Sequence, residues 1–296
     1  MGAVNQTRRS KNLWLKELND LVRGACGGFL FGIPLLYTME VWWIGSYAEP
    51  PLLFAALVAT FIVIFLLNRT EGFRTIKNVG WADTVMDTVE AIAIGIICST
   101  IVLILLREIT LRTSWSEALG KIIFEAVPFS LGVALAGSFL SGDRYQNSDN
   151  QDGPPKRRQP DKANLNETLA DIGATLIGSV IIAFNIAPTD EVSMLSAAIS
   201  PPWLLAIMAA SLILSYGIVF QAGFTNQKKR SQQRGIFQRP MSETIMSYLV
   251  ALAAAALMLR FFHQLSFDDP GSMWLSYTII LGLPATIGGA AGRLVA

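Results

Sequence analysis

The sequence predicts an all-α polytopic membrane protein with eight transmembrane helices arranged as two parallel four-helix repeats. The 296 residues are 52% hydrophobic and only 15% charged, with a mean hydropathy of +0.45. Eight stretches approach the roughly 20 apolar residues that a spanning helix needs. Residues 18–62 also match residues 169–213 without a gap, with 12 of 45 positions identical. A match at a fixed offset indicates that one structural unit was duplicated.

The predicted spans divide the chain into four segments. A basic N-terminal segment (1–21) precedes the first repeat (22–140), and a polar linker (141–168) separates it from the second repeat (169–296). The third span is regular only from Ala91 to Leu106, and the fourth carries Lys121 and Glu125 near its start. The eight spans are 22–44, 52–68, 85–106, 118–140, 169–188, 202–224, 242–262 and 273–294.

The distribution of basic residues predicts the orientation in the membrane. Of the 23 Lys and Arg residues, 19 fall in segments on one side of the predicted spans. Short cytoplasmic loops are enriched in Lys and Arg, so this side is predicted to be cytoplasmic and to carry both termini. The linker, with its run DNQDGPPKRRQPDK, is polar and rich in Pro and Gly and is predicted to be solvated.

The repeat continues beyond the first two spans. Glu90 aligns with Glu243 and Arg107 with Arg260 at an offset of 153, and residues 127–137 align with 283–293 at an offset of 156. Because each repeat holds an even number of spans, both enter the membrane in the same direction. The axis that relates them is therefore expected to run along the membrane normal.

Three strings resemble a known family. FGIPLLYTMEVWW (31–43), NIAPTDEV (185–192) and LPATIGGAAG (283–292) are similar to a family of bacterial integral membrane proteins catalogued only as a domain of unknown function. The resemblance covers nearly the whole chain and implies a bacterial inner-membrane protein. It implies no activity, substrate or site residue.

Several function classes lack the residues they require. One His and two Cys cannot supply a zinc site or a disulfide framework. No P-loop, nucleophile elbow or nucleic-acid module is present, so neither an enzyme nor a cofactor is predicted. The basic runs KKRSQQR and PPKRR suit anionic lipid headgroups better than nucleic acid. The predicted partners are the lipid bilayer and a small cation or proton.

A first candidate site lies near the outer ends of the first and fifth spans. Glu40, Asp190 and Glu191 each follow a proline, and a broken helix end beside a carboxylate offers ligands for a hard cation or a proton. We hypothesise that they form an acidic, pseudo-symmetric outer mouth. The alternative is a helix terminus with interfacial carboxylates, anchored by tryptophans of the aromatic belt.

A second candidate site lies on the cytoplasmic side. Asp83, Asp87 and Glu90 follow an i, i+4, i+7 spacing that places them on one helix face, and Glu243 is their counterpart in the second repeat. They are interpreted as an inner set of carboxylates that faces the bundle. The alternative is favourable placement at helix N-termini, where the helix dipole alone stabilises acidic groups.

Glu125 is the candidate with the strongest physical argument. It lies within IIFEAVPF, and a carboxylate in hydrocarbon costs about 2.5 kcal/mol or more, so it must face the bundle, be paired or be protonated. Lys121, four residues earlier, is a candidate partner. The second repeat has Leu281 at this position, so any role of Glu125 breaks the pseudo-symmetry. Asn185 completes the set of residues expected to line a cavity.

These features predict a transporter or channel for a small cation or a proton-coupled solute, with its site between the repeats. Glycine-rich runs such as 131–140 and 287–292 predict close helix packing. The formation of a homo-oligomer through such faces is an alternative that the sequence leaves open. The rival hypothesis is a non-transporting scaffold or regulator that binds a partner through its cytoplasmic loops. A polar cavity favours the first, and a closed, dry bundle favours the second.

Overall fold

The computed structural model of the protein describes residues 2–70, 80–140, 160–221 and 240–295. Over these ranges the chain forms ten α-helices and no β-strand, which confirms the predicted all-α class. A short π-helical segment, Gly217–Gln221, continues α8. The helices are α1 (Gly2–Leu36), α2 (Met39–Tyr47), α3 (Pro50–Thr70), α4 (Trp81–Leu105), α5 (Trp115–Leu140), α6 (Pro160–Ile186), α7 (Glu191–Ala198), α8 (Pro201–Tyr216), α9 (Pro240–Phe261) and α10 (Gly271–Val295).

Seven of the described helices are long and apolar enough to cross a membrane, or eight if the bent pair α1 and α2 forms one span. The prediction of a polytopic helical membrane protein is therefore confirmed. The helix α3 illustrates the class: its 20 residues Pro50–Arg69 have a mean hydropathy of 2.6 and are mostly exposed at the surface of the bundle. An apolar helix with an apolar exposed surface is suited to lipid rather than to water.

The first predicted span, 22–44, is broken near its outer end, as its proline indicated, although Pro34 itself remains inside α1. The helix α1 ends at Leu36, and α2 turns away from it by 91°. Thr38, between them, has an extended backbone conformation that no α-helix contains. The change of direction places α2 across the end of the bundle rather than along it.

The segment boundaries also differ from the prediction. The helix α1 begins at Gly2, so the N-terminal segment is helical and continuous with the first span. The helix α6 begins at Pro160, within the predicted linker. Proline is favoured in the first turn of a helix, where its missing N–H is not needed. Residues 141–159 of the predicted linker lie outside the described residues.

Each half of the chain is held together by close contact between two long helices. In the N-terminal half (α1–α5), α1 packs on α5 so closely that a Cβ added at Gly27 would lie 2.6 Å from the carbonyl oxygen of Gly132. In the C-terminal half (α6–α10), a Cβ at Gly178 would lie 2.1 Å from the carbonyl oxygen of Gly288. Only glycine permits such contact, as the small-residue runs predicted.

The loops that follow α4 and α9 have the same hydrogen bonds. Arg107 and His263, 156 residues apart, have left-handed φ values of 65° and 61°. The amides of Leu106 to Ile109 bond to carbonyls three to six residues back, and those of Phe262 to Leu265 do so in the same pattern. In both loops the next turn is closed by a side chain, from Thr113 or Asp269.

This register differs from the predicted alignment of α4 with α9. At the observed offset of 156, Glu243 corresponds to Asp87 rather than to Glu90, and Arg260 corresponds to Ile104 rather than to Arg107. The offset of the two loops therefore differs by three residues from the predicted offset of 153 for the helices that precede them.

The two halves meet through α1 and the outer loops. The hydroxyl of Tyr37 donates to the carbonyl oxygen of Ile280 at 2.7 Å, and the amide of Met39 donates to the carboxylate of Glu191 at 3.3 Å. On the same side, the indole of Trp203 donates to the carbonyl oxygen of Leu105 at 2.6 Å. The helix α1 also packs against α10 and against the π-helical segment.

Candidate functional site

One face of α5 carries three charged residues at a spacing of four. Glu117, Lys121 and Glu125 descend from the outer end of the helix toward its middle, since residues four apart share a helix face. Glu125 is the eleventh residue of α5, about 15 Å from its first residue at 1.5 Å per residue. It lies close to the midpoint of Trp115–Ala136, the 22 residues of this helix that are long and apolar enough to cross a membrane.

Lys121 directs its ammonium group outward, away from Glu125. Its Nζ lies 3.0 Å from Oε1 of Glu117 and 3.2 Å from Oε2 of Glu108, and it also donates to the carbonyl oxygen of Glu108 at 3.1 Å. Burial raises the pKa of Glu108, and the ammonium of Lys121 partly offsets that rise. The pairing predicted between Lys121 and Glu125 was therefore wrong, because a lysine stem reaches toward water when it can.

Glu125 is left buried without a countercharge. Its side chain is 1% exposed, and its Oε1 has no hydrogen-bond partner among the described residues. The indole of Trp42, which is also buried, is directed toward this carboxylate, but its nitrogen forms no hydrogen bond within the described structure. A buried carboxylate of this kind is costly unless it takes up a proton or a cation.

Glu125 lines a groove of about 520 Å³ between α1, α2, α3 and α5. Thr38 and Thr60 are its only other hydroxyl-bearing or charged lining residues; the hydroxyl of Thr60 bonds to the carbonyl oxygen of Ala56. The rest of the lining is apolar and includes the exposed side chains of Leu35 and Val63. The groove therefore opens on the lipid-facing side of the bundle. Its volume is in the range of about 300–1,000 Å³ typical of small-molecule sites.

Two glycines fix α2 above this groove. A Cβ added at Gly120 would lie 1.9 Å from the carbonyl oxygen of Gly45, and one added at Gly45 would lie 2.9 Å from the backbone of Lys121. The backbones of α2 and α5 therefore touch at the level of Lys121. This contact and the 91° turn together carry Trp42, one turn earlier in α2, to the level of Glu125.

The predicted outer mouth is only partly assembled. Glu40 and Asp190 are exposed at the starts of α2 and α7, as their position at helix ends explains. Glu191 is 4% exposed; one of its oxygens accepts from Met39, and the other, Oε2, has no partner among the described residues. Glu191 therefore joins the two halves, next to Glu40 in space but in a different environment.

The inner carboxylates also separate into two environments. Glu243, at the start of α9, forms a buried ion pair with Arg293 near the end of α10. The guanidinium of Arg293 also lies 5.7 Å from the ring centre of Phe220 in the π-helical segment. Asp83, Asp87 and Glu90 are half-buried on α4.

Asn185 lies on the surface of α6. Its side chain is exposed and donates to the carbonyl oxygen of Ile181, one turn earlier in the same helix, at 2.7 Å. Local bonding of this kind satisfies an amide on a lipid-facing surface. Among the described residues, no group of three or more His, Cys, Asp or Glu side chains is arranged to hold a metal ion.

Two important residues were not predicted from the sequence. Trp42 was interpreted as an interfacial anchor, but it is buried beside Glu125, while its neighbour Trp43 is exposed. Arg293 was counted only for its charge. A cation within the otherwise apolar run of α10 is itself a signal that a buried carboxylate lies nearby.

The comparison with known proteins gives a family but no relative of known activity. Residues 20–296 match the model of a family described as "Putative integral membrane protein (DUF2391)". No curated protein and no solved structure matches the chain significantly. Because the match covers most of the sequence, the chain belongs to this family of integral membrane proteins.

Proposed function

We propose that this member of the integral membrane protein family is a transporter in which Glu125 binds a proton and a cation in alternation. The observation that carries the proposal is a carboxylate near the midpoint of a candidate span, 1% exposed and without a countercharge among the described residues, that lines an open groove. Ionisable groups inside membrane spans are rare and are concentrated along ion and substrate pathways.

The alternation follows from the cost of burying charge. An ionised carboxylate in an apolar site is unfavourable by several kcal/mol unless a cation compensates it. Glu125 is therefore stable in two states, protonated or bound to a cation, and the two exclude each other. Exchange between these states couples the movement of a proton to that of a cation.

We further propose that the two halves arose by duplication and that only the first kept a titratable site. The hydrogen bonds that match at an offset of 156, and the paired glycine contacts of Gly27 and Gly178, support this relationship. Leu281, which is fully buried, occupies the place of Glu125 in the C-terminal half. In such a duplicated scaffold one half carries the site and the other half does not need one.

The inner end of the pathway is assigned to the ion pair of Glu243 and Arg293. Both side chains are buried, and they join the start of α9 to the end of α10 at the side predicted to be cytoplasmic. A buried pair is strongly disfavoured when one partner is removed, so it forms or breaks as a unit. An ion pair that forms or breaks as a unit suits a gate at the inner end of the pathway that opens only when α10 moves. From the excess of Lys and Arg on that side, we also propose that the protein lies in a bacterial inner membrane with both termini cytoplasmic.

The test is a flux screen in proteoliposomes. Purified protein is reconstituted, gradients of alkali or divalent cations are imposed, and internal pH is followed with a trapped dye. A cation gradient is expected to drive proton movement with wild-type protein, and Glu125→Gln is expected to abolish it. The control Glu49→Gln removes an exposed carboxylate of the outer loop and should retain wild-type flux. Cation-driven proton flux that is equal in Glu125→Gln and wild type would overturn the proposal.

A further inference from the structure

The groove beside Glu125 differs from a path for a hydrated ion. Nine of its twelve described lining residues are neither charged nor hydroxyl-bearing, and those on α3 lie on a helix that is mostly exposed at the bundle surface. The exposed side chains of Leu35 and Val63 line its mouth, and Val63 lies within the candidate membrane span Pro50–Arg69. A solute that enters here passes through lipid rather than through water.

From this geometry we infer that the groove binds a lipophilic cation, such as a quaternary ammonium or phosphonium compound, that enters sideways from the bilayer. The inference rests on the proposed function and names its substrate class. The apolar walls accept the body of the ligand, and the carboxylate of Glu125 supplies the single complementary charge. Pockets of this composition, mostly apolar with one placed polar group, are typical of small-molecule sites.

The charge of the groove excludes other amphipathic occupants. Among the described residues that line it, Glu125 alone is ionisable and none is basic, so an anionic lipid or fatty acid would place like charges together. Lys121 cannot compensate an anion there, because its ammonium is held by Glu117 and Glu108 toward the outer surface. A neutral acyl chain would fill the volume of the groove and leave the charge of the Glu125 carboxylate uncompensated.

Binding exchanges one proton for one ligand molecule. The cation enters beside protonated Glu125, the O–H bond of the carboxyl group breaks, and the proton leaves to water while the carboxylate pairs with the cation. Net charge in the groove stays zero before and after. A ligand with a fixed positive charge therefore releases one proton from the protein on binding.

The experiment uses tetraphenylphosphonium as the probe and tetraphenylborate as a control of similar shape and opposite charge. Full-length protein in weakly buffered detergent is titrated, with heat and released protons recorded together. Wild type is expected to bind the cation and release about one proton per ligand, while Glu125→Gln loses at least tenfold in affinity and releases none. Tetraphenylborate should not compete.

A second variant keeps the test independent of any folding defect in Glu125→Gln. Val63→Phe retains the carboxylate and fills the mouth of the groove, so it should weaken phosphonium binding at least tenfold without changing the melting temperature appreciably. Unchanged affinity in both variants, or binding without proton release, would overturn the inference. If phosphonium fails to bind but Glu125-dependent exchange with inorganic cations persists, the inference is wrong and the proposed function stands.

Discussion

Lys121 and Glu125 lie one turn apart on the same face of α5 and do not form an ion pair. The ammonium of Lys121 is held by Glu117 at 3.0 Å and by Glu108 at 3.2 Å. The positive charge nearest to Glu125 along the helix is therefore directed away from its carboxylate. The carboxylates of Glu117 and Glu108 already share the single ammonium of Lys121, so it does not compensate Glu125, which lines the groove. This separation is the basis of the proposed exchange.

The first prediction concerns stability at Glu125. We expect Glu125→Leu to raise the thermal melting temperature in detergent, because it removes an uncompensated buried carboxylate and reproduces the fully buried Leu281 of the other half. Since Oε1 makes no hydrogen bond, little is lost in exchange. Glu125→Leu should nevertheless abolish transport. A fall in melting temperature would indicate that the carboxylate stabilises the fold.

The second prediction concerns the buried pair of Glu243 and Arg293. We expect Arg293→Leu to lower the free energy of unfolding by about 3 kcal/mol, because it removes the guanidinium that Glu243 contacts. The double variant Glu243→Leu/Arg293→Leu should regain most of this loss. A double-mutant cycle from denaturant titrations measures the coupling. Strict additivity of the two single effects would contradict the pairing.

The third prediction compares equivalent glycines in the two halves. Gly27→Ala and Gly178→Ala should each destabilise by about 1–3 kcal/mol, because the added Cβ would lie 2.6 Å and 2.1 Å from a carbonyl oxygen of the facing helix. Gly173→Ala is the matched control on α6, where an added Cβ meets nothing within 4 Å. It should be neutral or slightly stabilising, since alanine favours helix over glycine. Similar effects at Gly27 and Gly178, measured by thermal denaturation, are the result expected of a repeat.

The fourth prediction concerns pH. Burial raises the pKa of Glu108 above its ordinary value of 4.5, and Lys121 partly opposes that rise. A carboxyl group with a raised pKa in the folded state binds protons more tightly when folded, so its contribution to stability is lost as pH rises above about 4.5 and through the raised value. Lys121→Met should enlarge this loss and extend it to higher pH.

Melting curves across this pH range check the fourth prediction. Adding Glu108→Gln to Lys121→Met should remove the extra pH dependence, because the titrating group is gone. Persistence of the same pH dependence in the double variant would assign it to a different residue.

Hydrophobicity and residue spacing were sufficient to predict the helical class and most spans, and they singled out Glu125, which is buried in the structure. They indicated a broken helix end near Glu40 but could not predict a turn of 91° at Thr38, because the sequence pattern does not give the direction of the next helix. The burial of Trp42 depends on that break and on the contact of Gly45 with Gly120, which joins residues 75 positions apart. The pairing of Glu243 with Arg293 spans 50 residues and likewise depends on how α9 and α10 pack.

The outer carboxylates illustrate the same limit. Glu40 and Glu191 occupy equivalent positions in sequence, yet the first is exposed and the second is buried against Met39. Sequence equivalence predicts similar local structure, but the environment of a side chain depends on what the rest of the chain places beside it. At the interface of the halves the environments of the two residues differ.

The most direct measurement is difference infrared spectroscopy of the carboxyl group of Glu125 in reconstituted protein, before and after addition of a cation that supports transport. We predict a protonated carboxyl band that disappears when the cation binds and that is absent from Glu125→Gln. A band of wild-type protein that remains unchanged on cation binding, or one that persists in Glu125→Gln, would contradict the exchange of proton for cation at this residue.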